Sequence, residues 1–217
     1  MQPPEAPPIV AQTIDPGRTT RRRLLLAAVL LLLIIYLFRS PDEIKHPPGV
    51  LIPEEPYQTD TDRTSSWEFK GEKFTPLANI RFRARVLHTE RYWIDQPSRF
   101  SPIDLAVGWG PMSDQRVIEQ FKFSQGRRWY FWQFGGKERP LTDRQVALYS
   151  ANMHIIPSTQ DIDKRLREVR AGHIVYITGQ LVLVESKDGW RWRSSLSRTD
   201  VGFGACEIIW VTDLSVR

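Results

Sequence analysis

The chain has 217 residues, with 30 Lys and Arg against 25 Asp and Glu, a formal net charge of +5. Residues 1–40 carry five of the basic and two of the acidic residues, which leaves 25 against 23 downstream. The excess positive charge is therefore largely N-terminal, and a chain-wide basic field of the kind that draws in nucleic acid is excluded. Cys206 is the only cysteine, which excludes an intrachain disulfide and leaves the core to hold by burial alone.

Residues 1–20 form a Pro-rich tail (Pro3, Pro4, Pro7, Pro8, Pro16) with almost no apolar periodicity, the composition of a segment that does not pack. Residues 21–39 follow as a candidate transmembrane signal-anchor: Leu24 to Phe38 is unbroken and apolar, between Arg21, Arg22, Arg23 and Arg39. Those 15 apolar residues make a helix of roughly 22 Å, short of a ~30 Å bilayer core. Snorkelling of Arg23 and Arg39 compensates, and Tyr36 suits the interface. A cleaved secretory signal is the alternative, but Tyr36-Leu37-Phe38-Arg39-Ser40-Pro41 lacks the small-residue cleavage site. The surplus of Arg before the run places the N-terminus in the cytoplasm. The expectation is thus a single-pass protein of a bacterial inner membrane, touching lipid through 21–39, with its C-terminal domain in the periplasm.

Residues 40–65, with Pro41, Pro47, Pro48, Pro53 and Pro56, read as a semi-extended linker. The globular domain is expected over 66–217, where all eight Trp lie. Asn79 to His88 alternates Ile80, Phe82, Ala84, Val86 and His88 with Arg81, Arg83 and Arg85, a half-buried strand. Further strands are expected at 67–69, 128–132, 152–156 and 207–211. A long one over 174–185, bent at Gly179, turns through Asp188-Gly189 into Trp190 to Arg193. Ser113 or Asp114 can cap a short helix to Phe121, and Ser158 or Thr159 another to Val169. The fold class is α+β, mainly antiparallel. A helix ahead of a glycine-bent strand and a hairpin suggests an OB-like curled β-barrel with two short helices.

Three patches stand out: GWGPMSD at 108–114, SANMHIIP at 150–157, and SSLSRTD followed by GFGACE over 194–207. Together they resemble a group of uncharacterised bacterial proteins with one N-terminal membrane segment, over roughly residues 79–212. The resemblance implies a grouping and an anchor, and it assigns no residue a role.

Read as chemistry, Cys206 with His154 and either Asp200 or Asn152 would make a nucleophile, a base and an orienter. The bland account is that Cys206 and His154 are small buried members of apolar strands. His88, His154 and His173 lack metal-ligand spacing, so no metal and no cofactor is expected. Arg127 to Trp132 and Trp190 to Arg193 interleave bases with aromatics that could stack a nucleobase or a sugar, but in Trp190 to Arg193 alternation sends the two Trp inward and the two Arg outward. The reading favoured by sequence is a membrane-anchored binding or interaction domain, with Trp109, Asn152, His154, Arg198 and Asp200 bordering a ligand or envelope-protein site. The alternatives are a thiol- or metal-assisted envelope hydrolase using His154, Cys206 and Asp200, and a structural subunit of an envelope complex.

Overall fold

A computed structural model describes residues 16–37, 43–197 and 206–217. They divide into two compact units. The first contains α1 (Pro16–Leu37). Among the described residues no helix is long and apolar enough to cross a membrane.

The second unit is mainly β, with a few short helices. In chain order it contains β1 (Tyr57–Thr59), β2 (Trp67–Phe69), β3 (Glu72–Arg91), β4 (Ile103–Gly108), α2 (Gln115–Ile118), β5 (Phe121–Gly126) and β6 (Trp129–Phe134). Then come α3 (Asp143–Leu148), β7 (Ser150–Pro157), α4 (Gln160–Leu166), β8 (Ile174–Glu185), β9 (Arg191–Arg193) and β10 (Glu207–Val216). The caps explain the helix starts: Asp114 accepts from Arg116 N, Thr159 accepts from Ile162 N, and Thr142 with Gln145 forms a capping box.

Five strands close a ring in the order β3, β4, β7, β10, β8 and back to β3. Every pairing is antiparallel except β7 with β10. The ring can close because β3, at 20 residues, pairs with β8 along most of its length and with β4 beyond Arg85. At Gly179 the backbone of β8 lies hard against β10: a Cβ there would overlap the Trp210 carbonyl oxygen. The ladder shifts register next to this point, on the partner strand between Val211 and Asp213.

Alternation divides the side chains. Ile80, Phe82, Ala84 and Val86 of β3 face the main core together with Leu105, Met153, Ile155 and Ile209, against Ile162 and Leu166 of α4. The opposite face of β4, β7 and β10 is buried too, under two smaller apolar groups. One is Phe74, Phe100, Ile156, Ile208 and Trp210; the other is Ala106 with Met112, Ile118, Phe121 and Val146. The β5–β6 hairpin packs Phe123, Tyr130, Trp132 and Phe134 over the second group.

The Pro-rich segment expected as a linker is strapped to this unit from Glu43 onward. Ile44 N donates to Ala171 O at 3.0 Å. Leu51 N and Ile52 N both donate to Ser113 Oγ, Ile52 is fully buried, and β1 pairs with β3.

Candidate functional site

Between those two apolar groups lies a set of polar side chains. Asp104 on β4 and His154 on β7 are register partners, so their side chains leave the ladder on one face. Asp104 is fully buried and His154 is 2% exposed. The carboxylate Oδ2 lies 2.9 Å from His154 Nδ1. The contact is close but bent away from a straight hydrogen bond, so it is chiefly an ion pair.

Cys206 immediately precedes β10, which runs parallel to β7 with Ile208 beside His154. The His154 imidazole neighbours the Cys206 thiol as well as Asp104. Burial alone would lower the imidazole pKa. The Asp104 charge beside it, with the nearby Cys206, raises it instead from 6.5 to about 9. The histidine therefore carries a proton at neutral pH. Trp192 covers it from the β9 side, ring centroids 5.0 Å apart. Cys206 itself is partly exposed.

The turn between β5 and β6 brings a cation into this face. Gly126 and Trp129 close a two-residue hairpin whose central residues, Arg127 and Arg128, have φ of 52° and 68°. That is the backbone of a type I′ turn, normally built from Asn-Gly. Arg128 reaches Asp104 with Nη1 at 2.6 Å and grips Asp95 with Nε at 2.7 Å and Nη2 at 2.9 Å. Its guanidinium lies 3.8 Å from the Tyr92 ring centroid. Burial would raise the Asp95 pKa, but hydrogen bonds from Arg128 and Ser98 hold it below the usual carboxylate value. Burial together with the Asp104 charge pushes Tyr92 up to about 12. Two carboxylates thus face one guanidinium and one imidazolium, a balanced set, as buried charge requires.

A second layer orders the first. Asn152 Nδ2 donates to the Arg128 carbonyl at 2.9 Å and lies 4.0 Å from Cys206 Sγ, while its Oδ1 accepts from Gln125 Nε2 at 2.6 Å. Gln125 Oε1 is 3.0 Å from His88 Nδ1. The alternation of β3 assigns His88 to the inward set, but the register shift between Val86 and His88 turns it out toward Gln125.

Of the residues expected at a site, the structure brings His154, Asn152 and Cys206 together. Trp109 is 3% exposed and belongs to the main core. Arg198 and Asp200 lie outside the described residues. Asp104, outside the expected set, stands against the His154 imidazole. Asp104, Asp95, Gln125 and Arg128 are site residues that sequence reasoning missed. The available signal was a carboxylate inside the apolar run Ile103-Asp104-Leu105-Ala106-Val107, since an acid in a strand buried on both faces must be paired. Among the described residues, no group of three or more His, Cys, Asp or Glu could hold a metal ion.

No family model, no curated protein and no solved structure matches this chain.

Proposed function

We propose that this protein is a thiol enzyme acting by acyl transfer, with Cys206 as nucleophile, His154 as its acid–base partner and Asp104 as the group that orients and charges the imidazole. One observation carries the reading: a single buried imidazole contacts both a buried carboxylate and a partly exposed thiol. An imidazolium against sulfur is the arrangement in which a cysteine acts as a nucleophile. The thiolate attacks an acyl carbon and its carbonyl electrons move onto oxygen. Collapse expels the leaving group, which takes its proton from His154, and a thioester remains. Water then attacks the thioester, giving a proton to His154, and the C–S bond breaks to release the acid and return the thiolate beside the imidazolium. The sequence on its own favours a binding domain; the contacts of His154 move the weight to the thiol alternative.

The test is acylation of the full-length protein in detergent by p-nitrophenyl acetate, followed by release of p-nitrophenol and by intact mass. Wild type should form an acyl adduct at Cys206 that is absent in Cys206→Ser and strongly slowed in His154→Ala. Equal reaction of wild type and Cys206→Ser would defeat the proposal.

The finer fold assignment is an OB-like barrel. It is supported by the five-strand ring, by α4 preceding the fourth ring strand, and by the close crossing at Gly179. In OB folds the face of strands two and three, with flanking loops, receives the ligand. Here that face carries Asp104, Asn152 and His154, so substrate would lie across β4 and β7.

The membrane placement rests on the sequence. Leu24 to Phe38 between its Arg flanks is the anchor, and apolar side chains such as Leu24, Leu26 and Leu30 are exposed on α1. With the N-terminus cytoplasmic, the substrate would be envelope material. Protease added to intact spheroplasts should digest the domain and spare an N-terminal tag; the reverse pattern would defeat this topology.

A further inference from the structure

We propose that Asn152 supplies the side-chain donor that holds the oxyanion formed when Cys206 attacks an acyl group. The inference rests on the thiol reading above and names a further catalytic residue for it. The orientation of the carboxamide is fixed by its neighbours. The Arg128 carbonyl, 2.9 Å away, can only accept, so the atom facing it is the amide nitrogen. The other end accepts from Gln125 Nε2 at 2.6 Å, which leaves Gln125 Oε1 facing His88 Nδ1 at 3.0 Å.

A carboxamide nitrogen has two hydrogens, and the Arg128 carbonyl uses one. The other is left for the side on which Cys206 Sγ lies, 4.0 Å away. That separation is long for a bond to sulfur, and it leaves room for the oxygen of a carbonyl whose carbon has joined Sγ. In that step sulfur forms a bond to carbon, the carbonyl π pair moves to oxygen, and the Asn152 N–H meets the new charge. A donor fixed before the reaction and shielded from water stabilises the charge without reorganising. Asn152 is 7% exposed, so its carboxamide is largely shielded from water, and the hairpin that carries Gln125 and Arg128 serves to aim it.

Two reactions of one sulfur separate this role from mere support. Acylation by p-nitrophenyl acetate passes through an oxyanion; alkylation by iodoacetamide displaces iodide at a CH2 carbon and forms none. In the full chain, Asn152→Ala should slow acylation of Cys206 by about 10²-fold or more, with alkylation changed by less than about threefold. Gln125→Ala keeps the carboxamide but releases it, and should give a smaller loss with the same selectivity. Retention of the wild-type acylation rate in Asn152→Ala would overturn the inference, as would an equal fall of both reactions in both variants, which marks collapse of the site. If wild type is acylated no faster than Cys206→Ser, the thiol reading itself fails and the role of Asn152 goes with it. Normal wild-type acylation with an indifferent Asn152→Ala sinks this inference alone.

Discussion

Asp104 and His154 stand directly opposite one another across the β4–β7 ladder, carboxylate oxygen 2.9 Å from imidazole Nδ1, both out of contact with solvent. The register of two core strands, and no loop, sets this pairing. Slipping β4 against β7 by one residue would send Asp104 into the main apolar core beside Leu105 and Met153. The core that fixes the fold therefore also fixes the acid–base pair, and Cys206 meets it from the neighbouring parallel strand.

That pairing makes stability depend on alkaline pH. The folded imidazole keeps its proton up to about pH 9, whereas an unfolded histidine releases it near 6.5. The contribution is therefore complete below about pH 6.5 and disappears as pH rises through about 9, by at most about 3 kcal/mol. Urea unfolding of the wild type should show a midpoint that falls between pH 6.5 and 9. In His154→Gln the decline over that window should vanish; a decline that survives the substitution would assign it to another group.

The hairpin tip offers a contrast between adjacent arginines with the same backbone. Both have positive φ, where an L-residue is strained by about 1 kcal/mol or more. Arg127 is exposed, so Arg127→Gly relieves strain at no loss of contact and should leave stability unchanged or raised by up to about 1 kcal/mol. Arg128→Gly relieves the same strain but leaves Asp104 buried without its guanidinium, which should cost about 3–5 kcal/mol. Thermal unfolding of the two variants side by side checks the prediction, and similar shifts would refute it.

Much of the fold was legible because alternation and punctuation were strong where strands have one wet face or a clear turn. Ile174–Glu185 and the Asp188-Gly189 turn lie where the sequence places them, and Thr159 caps its helix. β4 was not legible. All six of its residues are buried, so it lacks the polar-apolar period that marks a strand. The β5–β6 hairpin was half missed because Arg127-Arg128 is an improbable I′ turn. Both omissions hide site residues: β4 carries Asp104 and the turn carries Arg128. His154, Cys206 and Asn152 were legible as residue types, whereas their meeting depends on a parallel β7–β10 pairing that no local pattern encodes.

Arg85 should hold the N-terminal strap in place. It is fully buried on β3 and donates to the carbonyls of Ser113 and Ile44, both at 3.3 Å, and to Gln115 Oε1, with Glu43 Oε1 3.6 Å away. Removing a buried cation from its acceptors leaves them unsatisfied. Arg85→Ala should therefore open residues 43–52 to limited proteolysis well before the ring is cut, and cost about 3 kcal/mol. If cleavage within the strap is no faster than in wild type, Arg85 does not hold it.

Closure of the ring should depend on Gly179. A methyl group there would run into the Trp210 carbonyl oxygen and crowd Ile209 Cγ2. The neighbour on the tightest side is backbone and has no rotamer to yield, so relief must come from separating β8 and β10. Gly179→Ala should cost about 2–3 kcal/mol, in the range of overpacked cores. Because Trp210 and Ile208 lead back along β10 to Cys206, the same substitution should slow acylation of the thiol. A control distinguishes this from general damage: Gly189→Ala is strained by its φ of 90° but meets no atom within 4 Å. It should lower stability while leaving the thiol reaction at the wild-type rate, and equal kinetic losses in the two variants would show that Gly179 has no special hold on the site.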